Sequence, residues 1–277
     1  MSVLDDIMAH KRDGIVRQQA RQPLAEVRAA AEAAPPPLDF VAALRGSSAR
    51  PALIAEIKRR SPSRGLLAPD LDPLRLARIY RENGAACISV LTDEKFFGGN
   101  LEDLRGVRRQ ESAVPLLRKD FICDPYQIYQ ARAAGADAVL LIVAALTPAL
   151  LHDLHALAHE LAMAALVEVH TADELETAMA ADPALVGINN RDLHTFTVSL
   201  ATTERLCRRL PAGVCVVAES GIHNAEDVAT VGGISRPDIT GVDAILVGEA
   251  LVTAVDVASQ VRRLASLSLT DHTDRRR

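Results

Sequence analysis

Eight short apolar segments recur along the chain after residue 50, and their regular spacing limits the folds available to it. Their centres lie roughly 20 to 34 residues apart, and the intervals carry apolar residues at helical spacing. A strand followed by a helix, repeated eight times, is typical of a parallel α/β sheet. The apolar segments span residues 52–57, 86–91, 114–117, 138–143, 164–169, 185–188, 214–218 and 243–247.

Two features favour closure of this sheet into a barrel. Segments such as residues 138–143 are apolar throughout, as expected for strands buried on both faces. Eight units within about 220 residues match the length of a (β/α)8 barrel, and the glycine-rich fingerprint of a doubly wound dinucleotide-binding sheet is missing. We therefore predict an α/β protein with a (β/α)8 TIM barrel.

The first 50 residues have a different pattern from the rest. Apolar positions within residues 3–21, 24–33 and 38–44 have helical spacing, and three consecutive prolines at 35–37 separate the last two segments. We predict an N-terminal helical extension over residues 1–50 and a catalytic barrel over residues 51–265. Residues 266–277 are predicted to be a C-terminal tail, whose last residues, 274–277, are expected to be frayed.

Composition and charge exclude several classes of function. Aromatic residues make up 3% of the chain and the formal net charge is −5, which argues against a nucleic-acid-binding face. No apolar run reaches the roughly 18 residues of a membrane span, and the N-terminus is acidic where a signal peptide is basic. The four cysteines lack metal-binding spacing. We expect a cytoplasmic protein that binds no nucleic acid, membrane or metal.

Charged and polar residues stand at the ends of six predicted strands. In a barrel, the catalytic groups come from these C-terminal strand ends and from the loops that follow them. Alternation along the first strand places Glu56 and Lys58 on the same side, and an ion in an apolar strand is costly unless it is paired. Ammonium groups that face carboxylates can supply separate acids and bases. The candidates for catalysis are Lys119, Glu168, Lys58, Glu56, Asn189 and Glu219.

Small residues in the loops after the seventh and eighth strands suit an anion. Ser220-Gly221 and Gly248-Glu249 would let backbone N–H groups approach a phosphate, and Ser61 could close the same pocket from the first loop. Only the backbone N–H of Glu249 is expected to contact the phosphate, and its carboxylate is expected to point away from that anion.

Two charged residues flank the catalytic candidates. His170 follows the fifth strand and Arg118 precedes Lys119. We expect both side chains to lie outside the pocket.

Five segments, in the same order along the chain, resemble the indole-3-glycerol-phosphate synthase family. The resemblance runs from about residue 51 to residue 251 and includes the helical extension. It implies a cofactor-independent carbon–carbon lyase of tryptophan biosynthesis. Such an enzyme closes the ring of 1-(2-carboxyphenylamino)-1-deoxyribulose 5-phosphate to give indole-3-glycerol phosphate, CO2 and water. The segments are IAEIKRRSPSRG (54–65), SVLTDEKFFGG (89–99), LRKDFI (117–122), GINNRDL (187–193) and AESGI (218–222).

The resemblance also implies a role for each candidate. Lys119 matches the general acid that protonates the substrate carbonyl, and Glu168 matches the acid/base partner of the later dehydration. Lys58 matches the lysine that contacts the substrate carboxylate and can serve as a second acid. The residues that match orienting positions are Glu56, Asn189 and Glu219. The predicted substrate-binding residues are Ser61, Phe97, Phe121, Arg191, Ser220, Gly221, Gly248 and Glu249, among which Phe97 and Phe121 match ring-contacting positions.

Two other functions stay open at this point. Another phosphosugar barrel, such as phosphoribosylanthranilate isomerase, would use a Cys/Asp pair, and the set of Lys58, Lys119 and Glu168 argues against it. A non-catalytic barrel could serve as a scaffold for tryptophan-pathway enzymes, but it has no reason to keep ions at its mouth. Association with other enzymes of that pathway is compatible with the catalytic interpretation as well.

Overall fold

The structure is a computed structural model that describes residues 3–193 and 195–265. Over this part of the chain, eight parallel strands close into a barrel, in which each strand pairs with the next and the eighth pairs with the first. The predicted tail at residues 266–277 lies outside the described residues. The strands are β1 (Ala52–Ile57), β2 (Cys87–Leu91), β3 (Leu116–Lys119), β4 (Ala138–Ile142), β5 (Ala164–Val169), β6 (Leu185–Asn189), β7 (Cys215–Glu219) and β8 (Ala244–Val247).

The predicted (β/α)8 barrel is confirmed, and β1 and β5 have the predicted limits. The third strand differs, because it runs from Leu116 to Lys119 rather than over residues 114–117. Pro115 has no N–H to donate, so the strand begins one residue after it. Lys119 extends the strand at its other end, and an apolar pattern cannot detect a charged final residue.

A cluster of buried apolar residues, which we call the apolar plug, fills the barrel below the charged strand ends. Because side chains alternate along a strand, residues two positions apart point to the same side. Four fully buried residues of the plug stand two positions before a charged candidate, so the charged side chains form the next layer inside the barrel. These pairs are Ile54 and Glu56, Leu117 and Lys119, Leu166 and Glu168, and Val217 and Glu219.

Three helices precede the barrel: α1 (Val3–Arg21), α2 (Leu24–Ala33) and α3 (Phe40–Arg45). The first two have the predicted limits. The third begins at Phe40 because Asp39 caps it, with a side chain that accepts a hydrogen bond from the Ala42 N–H at 2.8 Å. Phe40 and Leu44 belong to the apolar plug and cover its N-terminal end. The division of the chain into domains at residue 50 stays a prediction.

The segment before α3 is held to the barrel by a buried carboxylate. Asp137 accepts hydrogen bonds from the Leu38 N–H at 2.8 Å and the Leu116 N–H at 2.6 Å, and it pairs with Arg108. Burial raises the pKa of Asp137, while Arg108 and the two N–H groups oppose that rise. One side chain thus joins the extension, β3 and an outer helix.

Helices separate the strands and cover the outside of the barrel. Several begin at a capping residue followed by proline, as at Asp72, Asp124 and Thr147, whose side chains accept backbone N–H groups of the first turn. None of the helices within the described ranges is long and apolar enough to cross a bilayer. These helices are α4 (Pro73–Glu82), α5 (Glu94–Phe97), α6 (Leu101–Gln110), α7 (Pro125–Ala133), α8 (Pro148–Glu160), α9 (Ala172–Met179), α10 (Ala201–Cys207), α11 (Ala225–Gly232), α12 (Glu249–Val252) and α13 (Val257–Ala265).

Candidate active site

The fourteen predicted site residues all line one cavity at the C-terminal mouth of the barrel. The ends of seven strands, all except β4, and the loops that follow them bring these residues together. Their convergence is a property of the fold, while their individual roles stay predictions. The residues are Glu56, Lys58, Ser61, Phe97, Lys119, Phe121, Glu168, Asn189, Arg191, Glu219, Ser220, Gly221, Gly248 and Glu249.

Lys119 lies between two carboxylates at the floor of the cavity. Its Nζ is 2.5 Å from Oε2 of Glu219 and 3.4 Å from Oε2 of Glu168, and at most 12% of each of these side chains is exposed. Burial alone would lower the pKa of Lys119, but the negative charges of Glu219, Glu168 and Glu56 outweigh it and raise that pKa. The free protein therefore holds Lys119 as an ammonium ion.

The two carboxylates beside Lys119 differ in their affinity for a proton. Burial acts to raise the pKa of Glu168, but Lys119 and His170 outweigh it and lower that pKa to about 2. Burial acts to raise the pKa of Glu219, and repulsion from Glu168 adds to the rise while Lys119 opposes it. A difference of this kind between two carboxyl groups allows one pair to divide acid and base roles.

Two glycines leave the space that the buried carboxylates occupy. A Cβ on Gly187 would lie 2.1 Å from Oε1 of Glu219, and a Cβ on Gly248 would lie 2.2 Å from Oε1 of Glu56. Both distances are far shorter than a non-bonded contact permits. The backbone approaches these side chains closely enough that glycine is required at both positions.

The predicted pairing at the end of β1 is present. Nζ of Lys58 lies 2.6 Å from Oε1 of Glu56, and the Lys58 side chain is 17% exposed, whereas that of Glu56 is 6% exposed. Since the ammonium is the more exposed partner, it is accessible from the cavity while its carboxylate stays below it.

Asn189 is held in one orientation beside Glu168. Its Oδ1 accepts a hydrogen bond from the backbone N–H of Arg191 at 3.0 Å, so its amide nitrogen faces the other way. That Nδ2 donates to Oε1 of Glu168 at 3.2 Å. Arg191 also donates from its guanidinium to the Phe196 carbonyl at 3.3 Å. The loop after β6 therefore fixes one side of the Glu168 carboxylate.

The loop after β7 contributes small residues and backbone to the cavity. Ser220 has a φ of 64° and Gly221 a φ of 80°, so two consecutive residues after β7 adopt the left-handed conformation. A Cβ on Gly221 would lie 2.4 Å from Cγ1 of Val198, which leaves no room for a side chain. Left-handed residues at a loop of this kind expose backbone N–H groups that can contact an anion.

The carboxylate of Glu249 is paired rather than free. Its Oε1 lies 3.2 Å from Nε of Arg64, on the loop after β1. This contact joins that loop to the start of α12 at the rim of the cavity. Arg64 is 63% exposed, so the ion pair is screened by solvent and contributes little to stability.

A third wall of the cavity is apolar and aromatic. The ring centroids of Phe97 and Phe121 lie 5.9 Å apart with their planes at 38°. Leu140 and Ile142 from β4, and Phe196 from the loop after β6, also line the cavity. A further aromatic ring can pack against the pair of Phe97 and Phe121.

Sequence reasoning missed several residues of the site. Val3, Leu4 and Ile7 of α1 line the cavity, although their helical spacing indicated only a buried face and not its partner. His170 lies outside the cavity lining, as expected, but its imidazole contacts Glu168. Arg118 is also directed away from the cavity, where it donates to Thr92 and Asp120.

Lys11 of α1 joins two loops of the site. Its Nζ lies 2.8 Å from Asp93 and 2.6 Å from Asp120. The Asp93 side chain accepts the backbone N–H of Phe97, and the Asp120 side chain accepts the backbone N–H of Phe121. One ammonium group therefore connects the extension to both segments that carry the aromatic wall.

The charge of Lys11 is compensated within this network. Burial alone would raise the pKa of Asp120, but Lys11 and Arg118 outweigh it and hold that pKa well below its usual range. The chain contains only four lysines, and Lys11, Lys58 and Lys119 lie in or beside the cavity. The rarity of lysine is the sequence signal that could have identified Lys11.

Within residues 3–193 and 195–265, no group of three or more His, Cys, Asp or Glu side chains has the arrangement needed to hold a metal ion. The cavity supplies ammonium groups, carboxylates and backbone N–H groups. Groups of these kinds can act as acids and bases and can bind an anion.

Comparison with known proteins gives a consistent family. A family model described as indole-3-glycerol phosphate synthase matches residues 4–264. A protein of that name from Roseiflexus sp. (strain RS-1) is 54% identical over 271 residues, which cover 95% of this chain and 98% of the relative. Another, from Dehalococcoides mccartyi (strain ATCC BAA-2100 / JCM 16839 / KCTC 5957 / BAV1), is 48% identical over 265 residues and covers 95% and 99%.

Solved structures with low identity share the fold. KGPDC from Streptococcus mutans matches with a TM-score of 0.58 at 14% identity, covering 78% of this chain and 96% of the other. A chain of the tryptophan synthase complex from Pyrococcus furiosus matches with a TM-score of 0.57 at 17% identity, covering 79% and 99%. At these identities the likeness supports the barrel alone.

The Lys11 network predicts a stability effect. Lys11→Gln leaves Asp93 and Asp120 without their shared cation, so we expect the free energy of unfolding to fall by about 3 kcal/mol. Urea denaturation followed by circular dichroism measures the change. Arg12→Gln, at an exposed position on the same helix, should change it by less than about 0.5 kcal/mol. Equal stability of the two variants would contradict a connecting role for Lys11.

Proposed function

The chain belongs to the indole-3-glycerol phosphate synthase family, and from that premise we propose how its cavity performs the reaction. The enzyme is a carbon–carbon lyase of tryptophan biosynthesis. It closes the ring of 1-(2-carboxyphenylamino)-1-deoxyribulose 5-phosphate to indole-3-glycerol phosphate, with release of CO2 and water. The observation that carries the assignment of roles is Lys119, which is held as an ammonium ion between Glu168 and Glu219.

Ring closure requires a proton donor at the substrate carbonyl. As the aryl carbon attacks, negative charge develops on the carbonyl oxygen, and Lys119 stabilises it and donates the proton. Because its pKa is raised, Lys119 is protonated before each turnover. Glu219, at 2.5 Å from Nζ, holds the donor in place.

Loss of CO2 and then of water completes the reaction. Decarboxylation restores the aromaticity that ring closure removed, so that step needs no additional catalyst group. Glu168 is ionised at neutral pH because its pKa is lowered, and it accepts the proton that leaves during dehydration. Lys58, the more exposed partner of the Glu56 ion pair, contacts the substrate carboxylate and serves as the second acid, and Arg191 also lines the cavity as a carboxylate-side residue.

The remaining groups orient the substrate. The small residues of the loops after β7 and β8 bind the phosphate through backbone N–H groups, and Ser61 closes this end from the loop after β1. The Phe97 and Phe121 rings, whose centroids are 5.9 Å apart, contact the anthranilate ring. Asn189 orients Glu168 and the substrate hydroxyls. The phosphate-binding residues in this proposal are Ser61, Ser220, Gly221, Gly248 and Glu249.

Two further proposals rest on the family rather than on the geometry. We expect the enzyme to act in the cytoplasm, where amino-acid biosynthesis supplies its substrate. We also keep association with other tryptophan-pathway enzymes as a prediction. No contact or cavity of the described residues favours the isomerase or the scaffold alternative.

Activity of the purified protein is the direct test of this function. Incubation with 1-(2-carboxyphenylamino)-1-deoxyribulose 5-phosphate should produce indole fluorescence, and Lys119→Ala should reduce kcat by about a thousandfold or more, because the proton donor is lost. Lys95→Ala, at an exposed lysine near the cavity, is the matched control and should retain activity. The absence of product from folded protein would refute the function. Substantial ring closure by a folded Lys119→Ala variant would refute the role of Lys119.

The aromatic wall predicts an effect on substrate affinity. Phe97→Leu keeps an apolar side chain but removes the ring contact, so KM should rise about two- to tenfold while kcat changes little. Steady-state kinetics measures both constants. Phe96→Leu changes the adjacent residue, which does not line the cavity, and should leave KM unchanged. An equal effect of the two substitutions would contradict the assignment of Phe97 to the ring site.

A further inference from the structure

His170 lies directly behind Glu168 and outside the cavity lining. It follows β5, two residues after Glu168, and 8% of its side chain is exposed. Its Nε2 is 3.3 Å from Oε1 of Glu168, and its Nδ1 is 2.9 Å from Oε2 of Glu174. The imidazole therefore bridges a carboxylate of the active site and a carboxylate at the start of α9.

Both ring nitrogens of His170 face carboxylate oxygens. Nδ1 meets Glu174 with hydrogen-bond geometry, whereas Nε2 meets Glu168 as an ion contact without that geometry. A neutral imidazole carries one N–H, and only the doubly protonated ring is a cation that attracts both carboxylates. The charged groups that face it are Glu168 from β5 and Glu174 from α9. Burial alone would lower the pKa of His170, but these two carboxylates outweigh it and raise that pKa to about 10.

Glu174 is itself fixed, so it can hold the imidazole in one orientation. Its Oε2 accepts a hydrogen bond from the backbone N–H of His170 at 2.8 Å and is also hydrogen-bonded to Nδ1 of the imidazole at 2.9 Å. The backbone N–H of Glu174 donates to the Thr171 side chain, which caps α9. The start of α9 therefore determines where the Nε2 of His170 points.

The contacts of Glu168 divide between its two oxygens. Oε1 faces His170 at 3.3 Å and accepts from Asn189 at 3.2 Å. Oε2 faces Lys119 at 3.4 Å, on the side of the cavity. One oxygen is thus anchored by the protein, and the other is directed towards the place where the chemistry occurs.

We propose that the His170 imidazolium, oriented by Glu174, is a positioning residue that anchors Glu168 through Oε1 and leaves Oε2 available for proton transfer. The inference rests on the proposed role of Glu168 as the acid/base of dehydration. The cation also favours the ionised form of Glu168 against the cost of burial.

The test compares His170→Gln with the wild-type enzyme. Gln is similar in size and can donate a hydrogen bond but carries no charge. We expect kcat to fall about tenfold or more, because removal of a group that orients a residue of the site typically has a cost of this size. KM should stay within about twofold. The acidic limb of the kcat–pH profile should move upward by about one pH unit or more, because Glu168 protonates more easily without the cation. Unchanged kcat and an unchanged profile would overturn the inference.

A second variant, Glu174→Gln, tests the positioning role of His170 even if His170→Gln does not fold. Glu174→Gln keeps His170 but removes one of the charges that keep it protonated. The alkaline limb of the profile should therefore move downward, since His170 loses its proton at lower pH. His152→Gln, on the outer helix α8 with 68% of its side chain exposed, is the control and should match the wild type. A Glu174→Gln profile identical to the wild type would overturn the inference.

A double variant separates this inference from the proposed role of Glu168. Glu168→Gln should lower kcat strongly, and adding His170→Gln should cause no further loss, because the anchored group is already gone. Full activity of Glu168→Gln would refute the proposed function of Glu168 itself. Loss of activity in Glu168→Gln together with an independent, additive loss from His170→Gln would overturn the positioning role alone.

Discussion

The ion contact between Lys119 and its carboxylates is the interaction on which the site depends. An ammonium group at the end of a buried strand is unfavourable in isolation, and it is kept charged here because Glu219, Glu168 and Glu56 outweigh the cost of burial. The carboxylates in turn require open space inside the barrel, which Gly187 supplies beside Glu219. The backbone at Gly187 is therefore required for the position of Glu219, one of the carboxylates that keep Lys119 charged.

Two layers of structure support this ion cluster. Below it, the buried residues of the apolar plug fill the interior of the barrel. Around the mouth, α1 and the loops bring in groups from distant parts of the chain, with Lys11 connecting α1 to Asp93 and Asp120. The N-terminal extension is therefore part of the site, since it contributes apolar lining as well as this connection.

Local sequence patterns predicted the barrel and also predicted that the candidate residues would converge on one cavity. Both predictions depend only on short segments, through the alternation of side chains along a strand and the position of catalytic groups at strand ends. One contact that sequence reasoning missed joins residues far apart in the chain, and another is local. Lys11 reaches Asp120 across more than 100 positions, and no local pattern encodes that pairing. His170 is close to Glu168 in sequence, yet its role depends on Glu174, whose direction is set by the cap of α9.

Direct titration of Lys119 tests the central claim, that the surrounding carboxylates keep this buried lysine charged. With only four lysines in the chain, lysine-labelled protein gives a simple NMR spectrum in which Lys119 can be assigned through Lys119→Arg. The resonance of Lys119 should report a protonated side chain up to and above the usual lysine pKa of about 10.4. Deprotonation near pH 8, as expected for a buried lysine dominated by desolvation, would contradict the account.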